Sequence, residues 1–197
     1  MRKLQTLVLA AALAFGTASG ALAQGWTLKG ALSTISFGSV KKDKVGETYR
    51  FSNISGKVDK DGRVTVTIDL DSVQTGVDIR DERMRKHVFG SDGKKKPTAT
   101  LTVQVDPKTV TAVPVGALKP LSTTVELEFL GRRMPVEADL VIARLSPERI
   151  MVLTDGMIWF STEDMGIDEG ISKLQELAGL PSITRAFPVT ARLVFQK

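Results

Sequence analysis

Residues Arg63–Asp71 read RVTVTIDLD, a stretch in which apolar and polar side chains alternate without a break. Valine, isoleucine and leucine occupy the even positions, whereas arginine, threonine and aspartate occupy the odd ones. Because successive side chains of a β-strand point to opposite faces of a sheet, the stretch predicts a strand with one buried and one solvated face.

The same alternation recurs along most of the chain. Strong strands are predicted at 98–105, 124–129 and 133–142, and weaker ones at 26–37, 45–54, 149–154, 157–161 and 189–195. The turn sequences Lys60-Asp61-Gly62, Gly131-Arg132 and Asp155-Gly156 are predicted to make hairpins between strands. Eight or nine short antiparallel strands, each with one dry face, predict either a sandwich or a closed barrel in a single domain.

Two segments depart from this period and predict short helices. The first runs from Asp78, predicted to cap it, to about Val88, with acidic residues early and basic residues late, as the helix dipole prefers. The second is Asp168 to Ala178, DEGISKLQELA, whose apolar side chains share one helical face before Gly179 ends it.

The first 23 residues have the layout of a secretory signal peptide. Arg2 and Lys3 precede a short apolar core, Leu7 to Phe15, and Ala21-Leu22-Ala23 is a small-x-small cleavage signal. We therefore expect export to the periplasm and a mature domain of residues 24–197. Without Arg2 and Lys3 the net charge falls from +5 to +3, which with one Tyr and two Trp gives no indication of nucleic-acid binding.

Catalytic and metal-binding patterns are weak. His87 is the single histidine, and the chain contains no cysteine, so neither a histidine–cysteine zinc site nor thiol chemistry is predicted. No Gly-x-Ser-x-Gly elbow accompanies His87. We predict a protein that is not an enzyme and has no cofactor.

One block resembles the signature of a known family. In DLDSVQTGVDIRDERMRKHVF, a strand leads into Ser72-x-x-Thr75-Gly76, then Arg80-Asp81, a hydrophobic residue, a basic residue and Phe89. This order is similar to that of the YceI-like family of exported, lipocalin-like proteins. The segments Lys96 to Leu101 (KPTATL), Gly116 to Pro120 (GALKP) and Glu163 to Ile167 (EDMGI) are also similar to family motifs.

The resemblance implies an antiparallel eight-stranded, lipocalin-like barrel with a polyisoprenoid or similar amphiphilic chain in its bore. The sequence adds one short helix after the third strand and a second before the last strand. The ligand is then a linear isoprenoid lipid or the tail of an isoprenoid quinone, whereas a transient membrane contact and a homodimer stay open. The predicted ligand contacts are Phe37, Phe51, Val66, Ile68, Leu70, Arg80, Met84, Phe89, Leu101, Val103, Leu127, Phe129 and Trp159.

The dry faces point to an apolar ligand without help from the family. They carry only aliphatic side chains, methionine, alanine and one phenylalanine, so a buried polar group would find no partner there. An eight-stranded barrel can be filled by its own side chains or can hold one small ligand. The alternative function is therefore a filled barrel that serves as a protein-interaction or stress-related structural module.

Changing Ala21 and Ala23 to bulky charged residues should leave an uncleaved precursor, because the cleavage site requires small side chains. Mass spectrometry of the N-terminus measures this directly. Normal maturation to Gln24 in the variant would show that the cleavage site lies elsewhere.

Overall fold

The computed structural model describes residues 25–94 and 96–197, so the predicted signal peptide lies outside the described residues. Twelve strands and three α-helices are found within these two ranges. The strands are β1 (Trp26–Leu28), β2 (Thr34–Lys41), β3 (Val45–Phe51), β4 (Ile54–Val58), β5 (Arg63–Asp69), β6 (Val73–Gln74), β7 (Thr98–Gln104), β8 (Leu118–Phe129), β9 (Arg132–Ser146), β10 (Arg149–Thr154), β11 (Ile158–Ser161) and β12 (Ala186–Gln196). The helices are α1 (Asp78–His87), α2 (Pro107–Thr111) and α3 (Asp168–Leu177).

The strands form one closed antiparallel barrel. Its order is β1, β4, β5, β7, β8, β9, β10 and β12, and pairing of β12 with β1 closes the circle. At one end β2 continues the line of β1 along β12, β3 lies beside β2, and β11 continues the line of β10. The barrel therefore consists of eight strands, three of which are interrupted: β1 with β2, β3 with β4, and β10 with β11. Helix α1 follows the third of the eight and α3 precedes the last, which confirms the predicted fold.

The segment Asp155-Gly156 does not make the predicted hairpin. Strands β10 and β11 on either side of it both pair with β12, so the chain continues in the same direction after a short interruption. Gly156 has a φ of 103°, which lets the backbone bend out of the ladder and return to it.

The other two predicted hairpin turns are present, and Asp59 and Gly62 explain the first. The Asp59 carboxylate accepts hydrogen bonds from the backbone N–H groups of Asp61 and Arg63. Gly62 has a φ of 84°, and a Cβ there would lie 1.9 Å from the carbonyl oxygen of Val105. The turn before β5 therefore requires glycine.

Helix α2 was not predicted, although its start has a readable signal. Asp106 caps it by accepting a hydrogen bond from the Lys108 N–H at 2.8 Å, and Pro107 occupies the first helical position. Proline is favoured at that position because its fixed φ suits the helix and its missing N–H would have no partner. The helix is only five residues long, which is too short for a periodic pattern to show.

Helices α1 and α3 pack against each other at the end of the barrel where β2, β3 and β11 extend. Gly170 makes the contact close, because a Cβ there would lie 2.3 Å from the His87 carbonyl oxygen. Both helices also turn apolar side chains toward the barrel interior, among them Met84 and Leu174. No helix in residues 25–94 or 96–197 is long and apolar enough to cross a membrane.

The register predicts opposite effects for neighbouring positions in β5. Val66 is 2% exposed inside the barrel, and Val66→Asp should lower the free energy of unfolding by roughly 3–5 kcal/mol, because it buries an unpaired carboxylate. Thr65 lies on the other face, and Thr65→Asp should cost less than about 1 kcal/mol. Urea denaturation of the two variants checks this, and equal losses would contradict the register.

Candidate functional site

A cavity of about 590 Å³ lies inside the barrel. This volume falls within the range of roughly 300–1,000 Å³ that is typical of small-molecule sites. The wall is overwhelmingly aliphatic and aromatic, and it is built by strands around the whole circumference and by α1 and α3. The interior is therefore hollow, which disfavours the alternative of a filled barrel.

The register explains why this wall is dry. Val66 pairs with Leu101, Leu101 pairs with Leu127, and Leu127 pairs with Met134, so one row of inward side chains crosses four strands. The adjacent row, which contains Thr65, points to the opposite face. Alternation in single strands thus becomes an apolar interior only because neighbouring strands pair in register.

Twelve of the thirteen predicted contact residues line the cavity. They come from five strands, the turn after β5, helix α1 and the segment that follows it. They are Phe37, Phe51, Val66, Ile68, Leu70, Arg80, Met84, Phe89, Leu101, Val103, Leu127 and Phe129.

The prediction for Trp159 was wrong. Its side chain is 63% exposed on the outside of the barrel, whereas its neighbours Ile158 and Phe160 line the cavity. The physical reason is the alternation itself, since a strand residue between two inward side chains must point outward. Its position in β11 decides against a contact with the cavity.

An aromatic row follows one wall of the cavity. The ring centroids of Phe37 and Phe51 are 5.3 Å apart, those of Phe51 and Phe89 are 5.9 Å apart, and those of Phe89 and Phe129 are 6.4 Å apart. These distances lie in the range in which aromatic pairs attract each other. Phe89, which directly follows α1, therefore joins the helix to the barrel wall on both sides.

The apolar wall is interrupted by one polar cluster, centred on Glu47. The Glu47 carboxylate accepts hydrogen bonds from Lys41 Nζ at 2.9 Å, the Tyr49 hydroxyl at 2.7 Å and Arg80 Nη1 at 2.8 Å. The Arg80 guanidinium also lies over the Tyr49 ring, 4.7 Å from its centroid. These four side chains all line the cavity, so they provide hydrogen-bonding groups at one place on its wall.

Sequence analysis identified Arg80 but missed Lys41, Glu47 and Tyr49. The signal was available, because Glu47, Tyr49 and Phe51 alternate along β3 and therefore share one face. A glutamate among inward side chains interrupts the apolar pattern of the strand. It is the partner of the predicted arginine.

The electrostatics of the cluster favour an ionised Glu47. Burial alone would raise the pKa of this carboxyl, but the hydrogen bonds donated by Tyr49, Lys41 and Arg80 outweigh it and lower the pKa to about 2. Burial, together with the carboxylate that accepts its hydrogen bond, raises the pKa of the Tyr49 hydroxyl far above its usual range. The cluster therefore holds two cations and one anion at neutral pH.

The Thr-Gly and Arg-Asp pairs of the signature build the turn that aims Arg80. The Asp81 carboxylate accepts hydrogen bonds from the backbone N–H and the hydroxyl of Thr75, and Arg80 Nη2 donates to the Thr75 carbonyl oxygen at 2.9 Å. Gly76 supplies the positive φ, 76°, that the turn requires.

The predicted cap at Asp78 was wrong. Val77 occupies the cap position of α1 without a side-chain hydrogen bond, and Asp78 is the first residue of the helix. Asp81 instead binds the backbone that precedes the helix.

Among the described residues, no histidine lies at the cavity. His87 ends α1 and does not line the cavity. In the part of the chain that the structure describes, no three histidine, cysteine, aspartate or glutamate side chains are grouped so that they could hold a metal ion. The arrangement is suited to holding an apolar body whose polar end, if it has one, lies beside Arg80.

Comparison with known proteins agrees with this geometry. A family model described as the YceI-like domain matches residues 26–195. A polyisoprenoid-binding domain from Saccharophagus degradans, implicated in plant cell wall breakdown, has a similar structure. It is 33% identical over 87% of this chain and 97% of that chain, with a TM-score of 0.83. BcnA of Burkholderia cenocepacia shares the fold at 18% identity, covering 85% of this chain and 98% of that chain, with a TM-score of 0.63. No curated protein matches the sequence.

Glu47→Gln should lower the free energy of unfolding at pH 7 by on the order of 2 kcal/mol, because it leaves Lys41 and Arg80 without their anion. In the wild type Glu47 stays ionised in the folded state down to about pH 2, whereas the unfolded chain takes up a proton near the ordinary value of 4.5. Wild-type stability therefore falls as the pH drops through this window.

The difference between wild type and Glu47→Gln should shrink toward zero over the same window. Thermal unfolding followed from pH 7 to pH 2 measures it, with Glu126→Gln on the solvent face as the control. A difference that does not depend on pH would contradict the ionised cluster.

Proposed function

The chain belongs to the YceI-like family, and from this premise we propose that it is a periplasmic carrier whose barrel cavity holds the apolar chain of a polyisoprenoid-type lipid. The observation that carries the proposal is the hollow, apolar interior of about 590 Å³. Its relative from Saccharophagus degradans, at 33% identity, is a polyisoprenoid-binding domain.

The binding energy would come from burial of hydrocarbon. Each buried methylene contributes about 0.8 kcal/mol, so several isoprene units enclosed by the bore would bind without any hydrogen bond. The branched, methyl-bearing isoprenoid chain also suits a wall of branched aliphatic and aromatic side chains, because such walls gain from many close van der Waals contacts. Transport, storage and shielding of the lipid all require this same enclosure.

We place the polar end of the ligand, where it has one, beside Arg80. The Arg80 Nε atom is buried and finds no hydrogen-bond partner among the described residues, although the other two guanidinium nitrogens are bonded. A buried donor without a partner costs free energy that an acceptor oxygen would recover. A quinone carbonyl would satisfy that donor without adding charge, which is why an isoprenoid quinone is included in the proposal.

Binding rather than catalysis is supported by the chemistry of the wall. Lys41, Glu47, Tyr49 and Arg80 are engaged with one another in the Glu47 cluster, and a saturated stretch of hydrocarbon offers no bond for them to attack. A homodimer stays a prediction.

Lipid extracted from protein purified out of the periplasm of its own host should contain an isoprenoid chain, as identified by mass spectrometry. The double variant Leu101→Trp/Ala138→Trp fills the cavity from two walls and should retain at least about tenfold less lipid, while remaining folded because the rings enter existing space. The control Thr100→Trp points to the opposite face and should retain lipid as the wild type does. An extract without lipid, or equal retention in all three proteins, would refute the proposal.

A further inference from the structure

The structure assigns a second role to the end of the barrel where α1 and α3 lie: we propose that it is a docking surface that seats the mouth of the cavity on the apolar region of a lipid bilayer. The surface is the mouth ring, residues 40–47, 77–83 and 177–184. The inference rests on the proposed function, since the choice of a bilayer as the partner depends on an apolar chain in the cavity, and the docked mouth would be the route by which that chain enters and leaves.

Three contacts show that these segments form a ring. Arg80 of α1 donates to Glu47 of the β2–β3 hairpin. Lys41 of that hairpin forms a β-bridge with Ile183, in the loop after α3. Arg83 of α1 donates to the carbonyl oxygen of Leu177 at the end of α3, at 3.2 Å. The hairpin, the loop and the helix are therefore joined pairwise around one opening.

The cavity reaches the surface inside this ring. Val77 and Ile79 are exposed to solvent and also line the cavity. At the opposite end of the barrel the exposed residues Asp106 and Pro107 also line the cavity, but the large exposed apolar side chains there, Val115, Leu118 and Leu145, do not. Among the described residues, an apolar path from the interior to exposed apolar side chains is thus seen at the mouth ring.

The mouth ring also carries apolar side chains on its outer surface, away from the cavity. Val40, Val45 and Leu177 are exposed and lie on the hairpin and at the end of α3, without lining the cavity. The segment 177–184, LAGLPSIT, contains no charged residue in a chain that is 25% charged. Side chains of this kind on three separate elements can enter the interfacial region of a bilayer together.

Charge does not drive this docking. The ring contains five basic and five acidic residues, so its net charge is zero: Lys41, Lys42, Lys44, Arg80 and Arg83 against Asp43, Glu47, Asp78, Asp81 and Glu82. Anionic headgroups would therefore add little attraction. Lys42 and Lys44, at the exposed tip of the hairpin, can lay their aliphatic stems along the surface and keep their ammonium groups in the headgroup layer.

We choose a bilayer rather than a protein as the partner of the ring because the proposed ligand of the cavity is a long apolar chain. A long apolar chain that left through an undocked mouth would expose each methylene to water, which is unfavourable in proportion to the area exposed. A mouth seated on lipid lets the chain pass from one apolar medium to another. The apolar rim is then the continuation of the cavity wall toward the membrane.

The test compares two matched triple variants of the exported, processed protein, with its N-terminus checked so that an uncleaved Leu7–Phe15 segment cannot cause binding. Val40→Gln/Val45→Gln/Leu177→Gln changes the mouth ring without touching the cavity wall. Val115→Gln/Leu118→Gln/Met157→Gln changes side chains that are more exposed but lie outside the ring.

Flotation with phosphatidylcholine vesicles measures docking. The wild type and the control should float equally, while the ring variant should lose about tenfold or more in partitioning, since partitioning follows the apolar area inserted. Added salt should change nothing. The proposal is overturned by wild-type protein that does not float, by equal losses in both variants, by flotation that needs anionic lipid and is lost in salt, or by gel filtration in which the ring instead holds a second copy of the chain.

Release of solanesol, a long isoprenoid alcohol, separates docking from lipid holding. Transfer from loaded wild-type protein should become faster as vesicle concentration rises, whereas transfer from the ring variant should be slower and independent of it. Protein that retains solanesol but never floats leaves the proposed function intact and overturns the docking surface. Protein that floats through the ring but retains no solanesol supports docking and refutes the carrier function.

Discussion

Closure of the sheet is the constraint on which the other features of this protein depend. Once β12 pairs with β1, every strand has one face toward a shared interior and one face toward water. Closure leaves no edge strand between β1 and β12, so the inward side chains of both strands face the shared interior. The strict alternation of Arg63–Asp71 is the consequence in sequence, because any unpartnered polar group on the inner face would lose its hydration without compensation.

The Glu47 cluster is an exception to that constraint, and its geometry shows the conditions under which an exception is stable. Two cations and a tyrosine hydroxyl satisfy one carboxylate, and the Arg80 guanidinium is further held by the Thr75 carbonyl oxygen. The cluster also lies at the mouth, where the side chains of Glu47 and Arg80 keep about a quarter of their surface exposed. Partial hydration and mutual pairing together lower the cost of charge on an otherwise dry wall.

Much of the fold was predictable from the sequence, because alternation is a local signal with a direct structural meaning. The strand β10 begins and ends as predicted, at Arg149 and Thr154, and α3 begins at the predicted residue, Asp168. What could not be read locally was how strands pair. Asp155-Gly156 has the composition of a hairpin turn, yet β11 continues along β12, since pairing is decided by partners far away in the chain.

The candidate site shows the same division between local and distant information. The apolar side chains of the cavity wall were predictable because they alternate with outward side chains along their strands, and the prediction for Trp159 did not follow that alternation. The partner of Arg80 was not predictable in this way, because Glu47 lies 33 residues earlier and meets it only through the turn that Thr75 and Asp81 close. The family signature therefore marks a turn that positions the Arg80 guanidinium at the mouth. Its partner, the Glu47 carboxylate, lies on the β2–β3 hairpin and is found only in the folded structure.

The mouth combines two demands that conflict in most soluble proteins. The interior must be dry enough to hold hydrocarbon, yet its opening must be stable in water before any lipid or membrane arrives. Two ion pairs meet the second demand, because they fix the rim with groups that water tolerates: Arg80–Glu47 joins α1 to the β2–β3 hairpin, and Lys41–Glu47 joins the two strands of that hairpin. The exposed valines and leucine between them keep the rim of the cavity apolar. Their exposure costs little in a stable fold, because single exposed apolar side chains are common on protein surfaces. A rim made only of charges would isolate the cavity from lipid, and a rim made only of apolar side chains would bind other proteins without selection. In the proposed carrier, the alternation of the two along one ring is what would allow a water-stable barrel to exchange an insoluble chain.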